Sequence, residues 1–156
     1  MAQPPMRPGG VMEKPVNGAA AYAHAPGAHG KWTFGLFDCC SPFGTCCMAT
    51  WCPCILYGKT YAREHGDPDS SGCNGSCCAF YCLMCIGGSC ILQCINRTST
   101  REKYGIEGSS FSDFCTSCWC ACCQLIQEDK ESIVRTTGMD PKTKQPYASP
   151  HQMTYP

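Results

Sequence analysis

Eighteen of the 156 residues are cysteine, and the spacing of these thiols frames the chemistry open to the chain. The densest run is Cys46-Cys47-Met48-Ala49-Thr50-Trp51-Cys52-Pro53-Cys54, two thiol pairs on either side of four residues. Two further blocks, Cys73 to Cys94 and Cys115 to Cys123, repeat this chemistry without repeating its sequence. Thiolates are soft ligands that suit zinc, cadmium and copper(I), and a tetrahedral zinc site takes four donors at about 2.3 Å. On that basis the candidate metal ligands are Cys46, Cys47, Cys52, Cys54, Cys82, Cys85, Cys115, Cys118, Cys120 and Cys123. Pairs three apart on a helix, Cys82/Cys85 and Cys115/Cys118, would each offer two donors from one face.

The same thiols have two other uses. Reduced, buried cysteine packs as a small hydrophobe. Cysteines beside a membrane are acylated, and Cys39 and Cys40, with Cys46 and Cys47 close behind, follow an aromatic lead-in that suits palmitoylation. Redox catalysis is disfavoured because no βαβ pattern surrounds a Cys-x-x-Cys. Of the histidines, His24, His29 and His151 fall in polar ends and His65 at a turn, so no Ser/His/Asp or Cys/His arrangement is visible and an enzyme is not expected.

Composition narrows the setting. Net charge is zero and only 15% of residues are charged. Lys and Arg are scattered, which excludes a nucleic-acid footprint. Residues 1–31 hold no apolar stretch of secretory-signal length. Dense cysteine is therefore expected in a chain made in the cytosol, where metal binding or lipidation outweighs structural bridging.

The elements that must position these thiols are helices. Residues 1–31 carry five prolines and 138–156 lack an apolar period, so both are expected as disordered tails around one domain at 32–137. Trp32, Phe34, Leu36 and Phe37 form a short lead-in to Asp38. The residues from Cys39 to Gly58 carry no charge. A helix capped by Thr45 is expected there, continuing to Glu64 and bent at Pro53, with a turn at Gly66-Asp67-Pro68-Asp69.

Ser70 to Asn96 is likewise uncharged, and its apolar centre, Cys77 to Ile95, is close to the ~20 residues needed to span a bilayer, with Gly87-Gly88 at its middle allowing close backbone approach. Arg97, Arg101 and Lys103 follow as C-terminal positive charge, with Gly105 as the stop. A capping-box pattern, Ser110-Phe111-Ser112-Asp113, opens a third helix that turns polar at Gln127 to Glu131 and ends at Gly138. The expected fold is mainly α, a small cysteine-rich domain of about three helices. With a mean hydropathy of −0.20, peripheral or shallow membrane association is favoured over a double span.

Three motifs in order carry a resemblance. Cys46-Cys47-x4-Cys52-Pro53-Cys54 is followed by Arg97-x3-Arg101-x2-Tyr104-x-Ile106-x-Gly108. Asp113 then precedes the 115–123 cysteines and Leu125-x-Gln127-Glu128-x2-Glu131. Over Trp32 to Val134 the chain resembles the placenta-specific gene 8 family, which includes cornifelin, the plant cadmium-resistance proteins and the cell number regulators. The resemblance implies a membrane-associated cysteine-rich domain, at the plasma membrane, with metal ions as partners and zinc or cadmium bound or exported. It equally implies the family's other role, regulation of cell growth, with cysteines that are structural or palmitoylated. Export would require a homo-oligomer, because two helices cannot enclose a pathway. The chain departs from the plant pattern in its long Pro-rich ends, in extra cysteines at Cys39, Cys40, Cys77 and Cys94, and in Trp119 and Cys122 within the third block.

Overall fold

The computed structural model describes residues 30–67 and 71–147. Among the described residues six helices follow one another: α1 Phe43–Trp51, α2 Pro53–Glu64, α3 Gly75–Cys85, α4 Ser89–Lys103, α5 Ser110–Trp119 and α6 Ala121–Thr137. Among the described residues there is no strand, only a single antiparallel bridge between Met139 and Pro146. The mainly α expectation holds, whereas the count of about three helices is corrected to six because each uncharged block is broken once.

Each break has its own local chemistry. Pro53 lacks an amide hydrogen and disfavours helical geometry in Cys52, which sits at φ −136°, ψ 60° and ends α1 while Pro53 becomes the first residue of α2. The second break is a Schellman turn. Gly87 adopts φ +78°, its amide donates to the Met84 carbonyl, and Gly88 donates to the Leu83 carbonyl at 2.7 Å. The glycine pair thus stops α3 rather than letting one long helix approach a neighbour. Cys120, at φ −129° and ψ 41°, separates α5 from α6. Among the described residues, no helix is long and apolar enough to cross a membrane.

Helix starts differ from expectation in two places. Thr45 lies inside α1, which opens at Phe43 because the extended Pro42 offers its carbonyl to the amides of Thr45 and Cys46. Ser109, not Ser110, caps α5 by accepting from the Ser112 amide. Asp113 turns inward instead of back to the cap. Gly105 at φ +64° and Gly138 at φ +69° end α4 and α6 as the sequence indicates.

Helix α2 packs on α3 and α6, and α4 packs on α5. The apolar core joins Ala49, Leu56, Tyr57, Phe80, Leu125 and Ile126. Within it Tyr57 and Phe80 stack with centroids 4.7 Å apart. The closest approach is at Gly58, where an added Cβ would lie 2.4 Å from the Gly72 carbonyl oxygen and 3.0 Å from the Cys77 Cβ.

Where α6 turns polar, Gln127, Glu128, Asp129, Lys130 and Glu131 are all buried. They are matched by polar groups on every neighbour. Arg63 pairs with Asp129 at 2.9 Å. Asn96 and Gln124 donate to Glu128 at 2.9 and 2.8 Å. Arg135 pairs with Glu131 at 2.8 Å. Arg97 and Arg101 close on Asp113 at 3.2 and 2.9 Å, so these arginines tie α4 to α5 rather than merely capping α4 with charge.

The lead-in is a strap along α6. Thr33 donates to Glu131 through both its amide and its hydroxyl, Gln127 donates to the Phe34 carbonyl at 2.7 Å, and Lys130 pairs with Asp38 at 3.1 Å. Trp32 lies 4.2 Å from the Arg97 guanidinium. Residues 1–29 and 148–156 of the expected tails lie outside the described residues. Residues 139–147 are described as a turn whose Tyr147 packs edge-on against Phe34.

Candidate functional site

The three helix breaks gather at one end of the molecule. Pro53 at the start of α2, Met84 near the end of α3, Ser89 at the start of α4 and Ala121 at the start of α6 line one cavity there. Each break carries an exposed apolar residue: Trp51 is 82% exposed, Ile86 78% and Trp119 87%. Around them stand the exposed thiols of Cys52, Cys85, Cys118 and Cys122. No charged residue occurs in α1, in α3 or in α4 before Arg97. The breaks around this cavity form an apolar, thiol-bearing cap.

The ten candidate ligands are distributed along this cap and the helices beneath it. Cys46 and Cys47 are half-buried on α1, Cys52 is exposed at the first break, and Cys54 is half-buried in the first turn of α2. Cys82 and Cys85 are exposed on α3. On α5, Cys115 is half-buried and Cys118 exposed, while Cys120 marks the third break and Cys123 lies in the first turn of α6. The acylation candidates Cys39 and Cys40 sit in the strap, with Cys40 exposed. Cys77 is fully buried, and the half-buried Cys39, Cys46 and Cys54 pack against the apolar core; the other cysteines are half-buried or exposed.

Neighbouring sulfurs act on several of the thiols: Cys54 on Cys77, Cys90 on Cys118, Cys39 on both Cys123 and Cys40, and Cys46 on Cys40. Among the described residues, no group of three or more His, Cys, Asp or Glu side chains is arranged to hold a metal ion. Burial first, then the Cys54 sulfur, pushes the Cys77 thiol up to about 11; burial and then Cys39 do the same to Cys123. Cys118 is raised by burial and Cys90, and Cys40 by its contact with Cys39. At neutral pH these sulfurs carry protons, so a soft metal must displace them and draw further thiols to one of the pairs. The chemistry of the donors fits zinc or cadmium. Their arrangement requires movement to complete four-fold coordination.

Sequence reasoning missed the buried polar layer of Glu64, Asn96, Thr100, Asp113, Gln124 and Glu128. Thr100 donates to both Glu64 oxygens, at 3.0 and 2.9 Å. Burial first, then Glu128, raises the Glu64 carboxyl to about 8, and burial raises Glu128 to about 7. A signal existed in the interleaved signs of α6, whose acids face Arg63 and Arg97 on other helices.

A match to the PLAC8 family covers residues 32–131. The maize protein named Cell number regulator 11 is 38% identical over 102 residues, which are 65% of this chain and 63% of that protein. Protein PLANT CADMIUM RESISTANCE 2 of Arabidopsis thaliana is 36% identical over 115 residues, 72% of this chain and 74% of its own length. Cornifelin homolog B of Xenopus laevis is 38% identical over 105 residues, 67% of this chain and 80% of that protein. No solved structure matches.

Proposed function

The chain belongs to the PLAC8 family, and on that premise we propose that it is a membrane-associated, cysteine-rich protein that handles heavy metals, binding zinc or cadmium through thiolates or assisting their export. The observation that carries this reading is the cap, where exposed thiols stand beside exposed aromatic and aliphatic side chains on an uncharged surface. Soft-metal affinity and a preference for an apolar boundary follow from those two side-chain types. Similarity to a relative named for cadmium resistance supports the metal part. The protein acts as a binder rather than an enzyme, is made in the cytosol and held at the plasma membrane, and needs several copies wherever ions cross. Palmitoylation of Cys39 and Cys40 would add an acyl anchor to the strap.

A second reading has its own support. The spread of the thiols, with no group of three or more His, Cys, Asp or Glu placed for a metal among the described residues, favours a regulator of cell growth whose cysteines are structural or acylated. Similarity to a relative named as a cell number regulator points the same way. Elemental analysis of the reduced, purified protein separates the two. One or more equivalents of zinc, lost in a Cys52→Ser/Cys54→Ser variant, is the expected result for metal handling. Full thiol titre with no bound zinc or cadmium after loading leaves the regulatory reading.

A further inference from the structure

The cavity among the helix breaks is not needed for metal handling and has the make-up of a separate site. It measures about 140 Å³. Its floor is formed by Phe80 of α3, Gln93 of α4 and Leu125 of α6, which are 1%, 3% and 1% exposed, and its rim carries the exposed Met84 and Cys122. Phe80 and Leu125 belong to the apolar core, so the cavity leads from the surface to that core.

Gln93 is the anomaly in this floor. Its backbone carbonyl accepts from the Gln124 side chain at 3.1 Å, which ties α4 to α6 at this point. Its side-chain oxygen, by contrast, is buried with no hydrogen-bond partner among the described residues. Buried amides are ordinarily paired. Ser89 precedes Gln93 by one helical turn on the same face of α4 and lines the same cavity, so the polar groups follow one line along an otherwise apolar wall. Apolar walls with a few placed polar groups are the composition of small-molecule sites.

We propose that the cavity binds one small neutral aryl alcohol, its ring against Phe80, Met84 and Leu125 and its hydroxyl on the Gln93 amide. Size decides the body of the ligand. An apolar space of about 150 Å³ holds a molecule the size of benzene, and a whole acyl chain would overrun it. A ring also suits Phe80 and the thioether side chain of Met84, both of which pack favourably on aromatics. The amide decides the polar group, because a hydroxyl donates to the side-chain oxygen and accepts from the side-chain N–H. Water would meet the amide equally well, but only by wetting Phe80 and Leu125. Neutrality follows from the wall, which holds no charged side chain among the described residues, so an ionised ligand would be buried without a counter-charge. No wall residue is among the ten candidate metal ligands, and the site stands or falls apart from metal content.

The test titrates the full chain, reduced, with phenol and with toluene, which has the same shape without the hydroxyl, using isothermal titration calorimetry. The expected result is one phenol per chain, bound about tenfold more tightly than toluene, the difference that one hydrogen bond makes. Gln93→Met keeps the side-chain length and removes the amide, so it should bring phenol down to the affinity of toluene. Ala121→Phe fills the cavity from α6 and should abolish both. Far-UV circular dichroism checks that the variants are folded. If they are not, wild-type protein decides: phenol should still outbind toluene, and saturating phenol should slow alkylation of Cys122 at the rim while leaving Cys40 of the strap unaffected. Equal affinity for phenol and toluene overturns the proposal. So does phenol binding that survives both substitutions in folded protein, or alkylation of Cys122 at its usual rate in saturating phenol.

Discussion

Glu64 is the residue at which burial and charge conflict most. It is enclosed by Glu128, which opposes its ionisation, and by Thr100, Lys103 and Arg63, which favour it. Burial and Glu128 prevail, so its carboxyl titrates at about 8 and that of Glu128 at about 7, both far above their ordinary 4.5. The folded protein thus holds these protons more tightly than the unfolded chain. The stabilisation they provide is full below about 4.5 and is lost as pH rises through 7 to 8. The melting temperature is therefore expected to fall between about pH 5 and about pH 8, and Glu64→Gln, which keeps an acceptor for Thr100, is expected to flatten that decline. Parallel thermal melts check this, and an equal slope in both proteins would refute it. The sequence disclosed the thiols at this scale but not the acids. Gln127 to Glu131 reads as a solvated turn of helix until α2, α4 and the strap are seen to cover it.

At the scale of elements, the breaks were legible in proportion to their chemistry. Pro53 announces its own, Gly87-Gly88 admits either a close approach or a stop, and Cys120 gives no local sign of the third. Gly58 is where packing leaves least room, since α3 and the loop before it press on the α2 backbone there. Gly58→Ala should improve helix propensity yet lower stability by about 1–3 kcal/mol, because the methyl meets backbone that cannot retreat. Chemical denaturation would register this as a lower midpoint with an unchanged slope. An unchanged or higher midpoint would mean that the α2–α3 contact is looser than described.

Over the whole molecule, the sequence's two uncharged stretches suggested lengths near a bilayer span, and the structure folds each back on itself. What results is a bundle with exposed apolar side chains at its helix breaks and a charged interior. If the cap docks, Trp51→Ser/Trp119→Ser should weaken co-sedimentation with phospholipid vesicles about tenfold, a change of roughly 1.4 kcal/mol. Equal partitioning of variant and wild type would remove the cap from that role. The contact between Phe34 and Tyr147, with ring centroids 6.1 Å apart, brings the chain's entry and exit points together. Mechanically the domain is a bead hung from a single knot, not a link in series. Tension applied across its two ends loads the strap and the final turn first, and reaches the thiol-bearing cap only after Thr33 and Phe34 have peeled from α6.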